Sequence, residues 1–304
     1  MIDLHMHTNY SDGADDLVTI LKKAEESKLE VISITDHDTC AVYDELKKID
    51  IKKHYSGEII KGVEMTTSFK GVRIELLGYG FNNHEKITSY FKEFHTEEHW
   101  SGVVFRLRSE LIKKFDDLEL KYDESILDLI EKAQNFETLI YDSLLESNHN
   151  LKEKLKEEYC ESGYRFYRKR VQNPESYFCM NYAEYNPKIE NIIKLIHDNG
   201  GKVFLAHPFL YGIKEIEAFI VQLCLLGLDG IECFHYDPKE EEMNLLLDYA
   251  KKNNILASGG SDYHGDERAG ISLGVGRGNL KIPKTIIDNW QLKKDKVFWL
   301  EYIM

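Results

Sequence analysis

The sequence has few cysteines and no long apolar run. Its five cysteines, among 304 residues, show no C-x-x-C spacing, and their odd number argues against a disulfide framework. No run of about 18 apolar residues occurs, and the chain starts with a charged strand motif instead of an apolar signal core. We therefore expect a cytoplasmic protein in a reducing compartment that is neither secreted nor inserted into a membrane.

Positive charge is also scarce. The 39 Lys and Arg residues are outnumbered by 53 Asp and Glu residues, which gives a net charge of −14. This balance argues against a protein that binds nucleic acid through a generally basic surface, although a local basic cleft is still allowed. With 42% hydrophobic residues, the chain can bury the core of one large α/β domain that carries an insertion.

Glycine and strand-like sequence become scarce between about residues 84 and 185. Charged helical patterns dominate this stretch, including residues 123–132 and 151–159, and Pro174 is its clear helix breaker. We predict an inserted helical domain at residues 85–185 that covers a site on the rest of the chain. Residues 1–84 and 186–304 would then form one discontinuous catalytic domain.

Strands and helices alternate on both sides of this stretch. Helical spacing of apolar residues starts at Leu17, a buried strand covers residues 31–35, and strands at 58–67 and 72–79 are joined through Lys70 and Gly71 as a hairpin. Helices at 187–199, 213–226 and 240–253 alternate with strands at 201–206, 229–234 and 255–259. A tail that contains Trp290 and Trp299 is expected to close the core. The predicted fold class is α/β.

Potential metal ligands stand at the ends of the predicted strands. In a parallel β/α arrangement, the carboxyl ends of the strands meet on one face. Imidazoles mixed with carboxylates, without cysteine, suit Zn²⁺, Mn²⁺ or Fe²⁺, and Mg²⁺ is also compatible. These residues are too many for one ion, so we expect two or three metals bridged by a carboxylate such as Glu64, as in phosphate-ester hydrolysis. The candidates are His5, His7, His37, Glu64, His207, His235, Asp262 and His264.

Six motifs together resemble the PHP (polymerase and histidinol phosphatase) family, in the order usual for that family. They are Asp3-Leu4-His5-Met6-His7-Thr8, Ser11-Asp12-Gly13, Thr35-Asp36-His37-Asp38, Gly62-Val63-Glu64, Ala206-His207-Pro208 and Ser261-Asp262-Tyr263-His264. The resemblance covers about residues 1–80 and 187–280. It is strongest to the branch of small phosphoesterases that act on nucleotides and short nucleic acids.

The resemblance implies a distorted (β/α)7 barrel with a trinuclear metal centre. When the ligands of the family are carried over by motif, His5, His7, Glu64 and Asp262 would hold one ion. A second ion would be held by Asp12, His37 and His264, and a third by Glu64 and His207. The family has a further histidine just before a Leu-Leu-Gly-Tyr segment, where this sequence has Glu75. Glu75 is either a ligand that adds negative charge to the third site or a surface or salt-bridged residue.

Other residues are candidates for roles around the metals. His235 would contact the leaving group or phosphate, and Asp36 and Asp38 would orient His37 or its neighbours. Arginines are candidate phosphate clamps, although each of them could also be a solvated surface residue. These arginines are Arg106, Arg108, Arg165, Arg168 and Arg170 in the insertion and Arg268 and Arg277 near the rim.

Aromatic residues and two further histidines are ambiguous. The segment Tyr164-Arg165-Phe166-Tyr167-Arg168 could stack nucleobases or could pack the insertion onto the barrel, and Tyr177 and Phe178 are open to the same two interpretations. His95 and His99 are spaced i, i+4 but lack the H-E-x-x-H order, so we do not expect them to bind metal.

Three functions are compatible with these patterns. The first is a metal-dependent phosphoesterase that uses a metal-bridging hydroxide on nucleotides or short oligonucleotides. The second is a phosphatase for a small metabolite such as histidinol phosphate. The third is a catalytically weak metal-binding regulatory module. A phosphorylated small molecule or short nucleic acid is the expected partner, and no obligate protein partner is evident.

Overall fold

The computed structural model describes residues 1–133, 135–173, 175–181, 186–266 and 270–292. Within these residues the structure is a mixed α/β fold, as predicted. The strands are β1 (Ile2–Asp3), β2 (Val31–Ile32), β3 (Glu58–Ile59), β4 (Gly62–Phe69), β5 (Val72–Tyr79), β6 (Lys202–Leu205), β7 (Gly230–Phe234) and β8 (Leu256–Gly259).

Helices follow most of these strands and fill the region between β5 and β6. They are α1 (Leu17–Glu26), α2 (Val42–Leu46), α3 (His84–Phe94), α4 (Glu97–Asp117), α5 (Phe136–Ser147), α6 (Leu151–Leu155), α7 (Gly163–Phe166), α8 (Ile189–Asp198), α9 (Ile216–Leu225) and α10 (Glu240–Asn253). A π-helix, Tyr167–Val171, continues α7. None of the helices in the described residues has the length and apolarity needed to cross a membrane.

The strands form two sheets that are not closed into a barrel, so the predicted (β/α)7 barrel is not found as such. One sheet has the order β1-β2-β3, with all pairs parallel, and the other has the order β4-β5-β6-β7-β8. In the second sheet β5 is antiparallel to both β4 and β6, which interrupts a parallel barrel. The first sheet is made of two-residue strands, which limits its hydrogen-bonded edges.

Backbone contacts nevertheless hold the two sheets together. Leu4 N donates to Gly259 O at 3.1 Å, and Asp262 N donates to His5 O at 2.9 Å, so the segment after β1 lies beside the segment after β8. On the other side of the first sheet, His37 and Glu64 form a parallel bridge. The segments that carry the candidate ligands are therefore adjacent in space.

The β4–β5 hairpin confirms the prediction made from Lys70 and Gly71. Phe69 pairs with Val72, and the two residues between them have φ angles of 53° and 82°. Left-handed conformations at both turn positions are typical of a two-residue type I′ turn, which glycine favours. The pairing of Glu64 with Leu77 and of Thr66 with Glu75 places both glutamates on one face of the hairpin.

The apolar core is divided between the strand part and the helical part. Side chains from the strands and from α1, α8, α9 and α10 pack around both sheets, and Ile87 and Phe91 of α3 join them. Trp290 closes one end by contacting Tyr79 and Phe204, with ring centroids 5.0 and 4.6 Å apart, whereas Trp299 lies outside the described residues. A separate core extends from Val104 in α4 to Met180.

The predicted helix at residues 123–132 is instead a short 3₁₀-helix, Glu124–Leu129. None of its residues is fully buried, and the partial packing of Ile126 and Leu127 against the helical core gives little apolar burial to stabilise a longer helix. The segment at 151–159 is likewise split into α6 and a 3₁₀ turn, Lys156–Glu158.

Candidate metal centre

His5 and His7 lie just after β1 and project to the same side, as their spacing of two predicts. Both are buried, and their Nε2 atoms lie 3.1 and 3.2 Å from Oε2 of Glu64. Glu64 is the third residue of β4 instead of the last residue of a strand, because the hairpin extends β4 to Phe69. Because Glu64 forms a parallel β-bridge with His37, it nevertheless lies beside the segment that follows the parallel strand β2.

Asp262 completes this group from the segment after β8. Its Oδ1 atom is 3.4 Å from His5 Nε2 and 3.3 Å from His7 Nε2. The ligand atoms of His5, His7, Glu64 and Asp262 all lie within 4.8 Å of one another. Ligands about 2.1 Å from one tetrahedral ion are separated by about 3.4 Å, so these separations suit a shared divalent metal.

The buried atoms at this point lack the hydrogen bonds that such atoms normally make. In the described part of the chain, His5 Nε2, His7 Nε2 and Glu64 Oε2 have no hydrogen-bond partner. Buried polar atoms without partners are rare, and here they converge on one point. Because imidazole nitrogens and carboxylate oxygens are also the donors that Zn²⁺, Mn²⁺ and Fe²⁺ accept, the residues fit a metal site.

The electrostatics of the group reflect the proximity of imidazoles and carboxylates. Burial opposes protonation of His7, but the nearby carboxylates of Asp262 and Glu64 raise its pKa to about 9. Burial would raise the pKa of Asp262, yet the charge on His5 and the contacts with His235 and His7 hold that pKa well below its usual range. The carboxylates are therefore ionised and available as ligands at neutral pH.

A second group lies beside the first, around Asp12 in the loop after β1. Oδ1 of Asp12 is 3.2 Å from His264 Nε2 and 3.8 Å from His37 Nε2. It is also 3.7 Å from Nδ1 of His7, and these four residues could hold an ion together. The second ligand group carried over by motif is thus assembled in space, with His7 close to both groups.

The third group contains Glu64, His207 and Glu75. His207 Nε2 lies 2.9 Å from Oε1 of Glu64 and 3.3 Å from Oε2 of Glu75. The other oxygen of Glu75 accepts from Arg73 Nη2 at 2.9 Å. Glu75 is buried, forms a salt bridge and also faces the candidate ligand His207, and its role as a metal ligand stays a prediction.

Glu232 supports the centre and was missed in the sequence. It is fully buried in β7, where Oε1 lies 2.9 Å from His5 Nδ1 and Oε2 accepts from the backbone N of His207 at 2.7 Å. A carboxylate on the far nitrogen of a metal-binding histidine orients the ring and increases its basicity. The available signal was a lone acidic residue inside the apolar strand 230–234.

Asp36 and Asp38, which were expected to orient His37 or its neighbours, accept hydrogen bonds from segments that carry other candidate ligands. Asp36 accepts hydrogen bonds from Thr8 N at 2.7 Å and from Ser11 Oγ at 2.9 Å, so it fixes the loop that carries Asp12 and does not orient His37. This arrangement arises because Asp36 points back towards the segment after β1. Asp38 accepts from Thr66 N at 2.8 Å.

His235 is buried next to the first ligand group. Its Nε2 atom lies 3.5 Å from Oδ2 of Asp262, and its ring contacts the ring of Tyr236 at a centroid distance of 4.3 Å. It follows β7 directly, as the sequence predicted. Its predicted contact with the phosphate or leaving group stays a prediction.

The predicted arginine clamps have varied environments. Arg108 is buried and bound to Glu137, with Nε 3.0 Å from Oε1, and its Nη1 donates to the carbonyl of Ile130. Arg106 is exposed on α4. Arg277 lies over the ring of Tyr236 at 4.9 Å, and Arg268 lies outside the described residues.

A cavity of about 520 Å³ opens on the ligand cluster between the strand part and the helical part. Asp12 and His37 line one wall, and Leu107, Arg108 and Tyr167 line the other. Arg73 also faces this cavity, and its Nη1 donates to the Tyr167 hydroxyl at 3.2 Å. The cavity is thus lined by residues of both the candidate metal centre and the helical part.

His95 also lines this cavity and was not expected to contribute to the site. Its Nε2 atom lies 3.4 Å from Oδ2 of Asp38, so it is linked to the segment that carries His37. The side chain of His99 lies outside the described part, so the expectation that it binds no metal stays a prediction.

The ambiguous aromatic residues separate into two sets. Phe166 and Phe178 are buried in the core of the helical part, where they serve packing. Tyr164 and Tyr177 are exposed by 57% and 49%, so their rings are accessible.

A family model described as "PHP domain" matches residues 3–256. The chain belongs to the PHP-domain family. This confirms the resemblance inferred from the six motifs, which lie within the matched region or just beyond its end.

Related proteins cover nearly the whole chain. A 5'-3' exoribonuclease of Haemophilus influenzae is 26% identical over 295 residues, covering 95% of this chain and 97% of the relative. A phosphoribosyl 1,2-cyclic phosphate 1,2-diphosphodiesterase of Eggerthella lenta is 24% identical, covering 86% of this chain and 94% of the relative. A solved structure from Bifidobacterium adolescentis, described as a metal-dependent phosphoesterase, shares the fold with a TM-score of 0.56 and 22% identity, covering 89% of this chain and 91% of that chain.

Proposed function

We propose that this protein is a metal-dependent phosphoesterase that hydrolyses phosphate esters of nucleotides or short oligonucleotides. The observation that carries the proposal is the convergence of His5, His7, Glu64 and Asp262 on one point, with Asp12 and His264 beside it. The named relatives cleave phosphoesters, which supports the same reaction type here.

The ligand cluster is proposed to hold two or three divalent ions. His5, His7, Glu64 and Asp262 would hold the first, Asp12, His37 and His264 the second, and Glu64, His207 and Glu75 the third. When bound, Zn²⁺, Mn²⁺ or Fe²⁺ ions would lower the pKa of water and neutralise charge on the phosphate oxygens. Mg²⁺ is the hardest of the candidate ions and fits the histidine-rich first group least well.

The surrounding side chains would bind and orient the ester. Arg73 faces the cavity beside Glu75, and His95 lines the same cavity, so both can contact phosphate oxygens. His235, next to Asp262, would contact the phosphate or the leaving oxygen. Glu232 would hold His5 in place, and Asp36 would hold the loop before Asp12. Because Arg108 is bound to Glu137, it is proposed to shape the cavity wall.

The architecture is proposed to be an open, distorted version of the (β/α)7 barrel. The backbone bonds between the segments after β1 and β8, and the bridge between His37 and Glu64, support this description. Residues 85–185 would form the inserted domain that covers the site. The separate core between Val104 and Met180 supports an insertion, while Ile87 and Phe91 of α3 pack with the strand part.

Hydrolysis of simple and natural esters would test the function. After removal of metals with a chelator, p-nitrophenyl phosphate and bis-p-nitrophenyl phosphate would be assayed with Mn²⁺, Zn²⁺ or Fe²⁺ added back. We expect metal-dependent turnover of at least one ester. Metal binding without turnover of any ester would contradict the proposal and favour a regulatory metal-binding module.

A substrate panel would then separate the enzymatic alternatives. It would contain mononucleotides, nucleoside 3',5'-bisphosphates, 5'-phosphorylated oligoribonucleotides and histidinol phosphate. We expect the highest kcat/KM with a nucleotide or oligonucleotide. A preference for histidinol phosphate would instead assign the protein to metabolite phosphatases.

A further inference from the structure

A second cavity lies beside the first, across the π-helix Tyr167–Val171. It has a volume of about 860 Å³ and is formed between the helical part and the loops that follow β6, β7 and β8. We call it the basic groove. Its lining residues in the described part are Tyr164, Arg165, Arg168, Lys169, Arg170, Asn173, Phe209, Leu210, Gly212, Tyr236, Asp237, Ile271 and Arg277.

The π-helix Tyr167–Val171 forms the wall between the two cavities. Tyr167 lines the first cavity, and the next residue, Arg168, lines the basic groove. The groove is connected to the ligand cluster through His235, because Tyr236 contacts His235, and His235 lies 3.5 Å from Asp262. A chain cleaved at the metals could therefore occupy both cavities.

The groove concentrates positive charge in a protein of net charge −14. Among its described lining residues, cations outnumber the single carboxylate, that of Asp237. Glu161 partly neutralises Arg165 at 2.5 Å, and Arg170 lies 3.6 Å from Glu158. Lys169 is exposed and forms no ion pair within the described part of the chain. The groove therefore has cationic charge that is not balanced internally.

Arg168 is a further cation of this wall, and it is less exposed than Lys169. Its Nη1 donates to Gln172 Oε1 at 3.3 Å, whereas its Nε is buried and makes no hydrogen bond within the described residues. Burial opposes the charge on Arg168, but the charge of Glu75 raises the pKa of Arg168, so this guanidinium already interacts with one carboxylate. Its unsatisfied Nε donor is still suited to a further anionic oxygen.

Aromatic rings accompany these cations. Tyr164 is 57% exposed at the groove, and Arg277 lies over the ring of Tyr236 at 4.9 Å. Grooves that bind single-stranded nucleic acid combine cations for the phosphates with aromatic faces for the bases. A small phosphorylated metabolite bound at the ligand cluster would not extend into a second cavity of this size and composition.

We propose that the basic groove binds the part of a single-stranded oligonucleotide that lies beyond the phosphate cleaved at the ligand cluster. Lys169, Arg168 and Arg277 contact the backbone phosphates, and a base stacks on Tyr164. The first cavity then holds the nucleotide on the other side of that phosphate. This inference rests on the proposed function and specifies its substrate as an oligonucleotide.

Two exposed positions allow a test that leaves the ligand cluster intact. Lys169→Glu and Tyr164→Ala would be compared with Lys251→Glu, which changes an exposed lysine at the end of α10. Exposed substitutions of this kind rarely affect folding. Each protein would be assayed with p-nitrophenyl phosphate, a 5'-phosphorylated dinucleotide and a 5'-phosphorylated decaribonucleotide.

We expect Lys169→Glu to lower kcat/KM for the decanucleotide by about tenfold or more, mainly through KM, because one phosphate contact is lost and a repulsive charge is added. Tyr164→Ala should lower it by about five- to a hundredfold, in line with the loss of one base stack. Turnover of p-nitrophenyl phosphate should be unchanged in both variants, and Lys251→Glu should match the wild type with every substrate.

The salt dependence of KM gives an independent measurement. For the decanucleotide, the slope of log KM against log salt concentration should decrease by about 0.7 in Lys169→Glu, the value for one single-strand phosphate contact. Equal kinetics of the variants and the wild type on the decanucleotide would overturn the groove proposal, as would an equal loss on p-nitrophenyl phosphate. Failure of the wild type to hydrolyse any ester would instead contradict the proposed function itself.

Discussion

The strand part and the helical part of this protein bury different kinds of side chain. Around the strands, histidines and carboxylates are buried next to one another, among them His5, Glu64 and Glu232. In the helical part, the core from Val104 to Met180 is apolar and aromatic, and the pair of Arg108 and Glu137 is its buried ion pair in the described residues. Burial thus serves chemistry in one region and packing in the other.

This difference has an energetic reason. Buried imidazoles and carboxylates are costly unless each is paired or binds a metal. The strand part places such groups on short segments just after its strands, where backbone bonds such as that from Asp262 N to His5 O fix them. The buried carboxylate of the helical part, Glu137, is paired with Arg108 and has no histidine cluster around it in the described core, and this part contributes exposed cations and cavity walls instead. Substitutions in the two regions should therefore have separable effects.

The largest effect is expected for Glu64→Gln in the strand part. Glu64 contacts His5 and His7 with one oxygen and His207 with the other, so the change removes charge from a residue shared by the proposed sites. Metal content should fall, and hydrolysis should fall by about a thousandfold or more, as for other losses of essential charge stabilisation. Metal content would be measured by mass spectrometry and activity with p-nitrophenyl phosphate.

Glu137→Gln is the matched control in the helical part. It also changes a buried glutamate to glutamine, but Glu137 is paired with Arg108 and, although it lines the first cavity, it belongs to none of the ligand groups. Breaking a buried ion pair costs about 3–5 kcal/mol of stability, while metal content should be unchanged. Equal loss of metal in the two variants would show that the two regions are not separable.

The next effect concerns the core of the helical part. Phe115 is fully buried in α4 and contacts Phe166 and Phe178, with ring centroids 5.9 and 5.5 Å apart. Phe115→Ala should destabilise this part by about 3–5 kcal/mol, and Phe115→Leu should cost less because more volume is kept. Thermal unfolding would measure both changes. Metal retention by folded Phe115→Leu is expected, and its loss would show that this core supports the ligand groups.

The sequence was informative about the strand part because its signals are local. The spacing of His5 and His7 predicts that they share a side, and Lys70-Gly71 predicts the hairpin turn; the structure shows both. The features that the sequence did not reveal depend on contacts between residues that are far apart in the chain. Glu232 contacts His5 across 227 positions of the chain, and nothing in its own segment identifies that partner. The two separate sheets likewise result from strand pairing and not from a local pattern.

In the helical part the sequence was less informative. Its amphipathic patterns predict helices but do not show which faces meet, so the 3₁₀-helix Glu124–Leu129 was predicted as a longer helix. Similarly, nearby residues of one aromatic segment differ in burial. Phe166 is buried against Tyr141, with ring centroids 4.0 Å apart, while Tyr164 is exposed at the basic groove. Only the packing of this region distinguishes them.

A moderate effect is expected for Glu232→Gln, which tests the support that the sequence did not reveal. Glutamine keeps the size of the side chain but removes the charge beside His5 Nδ1. Loss of such a supporting carboxylate typically lowers metal affinity by about 10–100-fold. Competition with a fluorescent chelator would measure the affinity. An unchanged affinity would show that Glu232 only fills space in β7.

The smallest effect is expected for Asp36→Asn, which compares two polar anchors of similar kind. Asp36 binds Thr8 and Ser11 and so holds the loop that carries Asp12, while Asp123 in the helical part accepts from Ser125 N at 2.9 Å to cap the 3₁₀-helix. Weakening hydrogen bonds to a charged group costs about 1–3 kcal/mol. Because Asp12 belongs to the second ligand group only, Asp36→Asn should weaken binding of the second metal a few-fold in a chelator titration and leave the first ion in place. Asp123→Asn should leave both ions in place. A shift in metal binding in Asp123→Asn would show that loop anchoring does not act through Asp12. Loss of the first ion in Asp36→Asn would show the same.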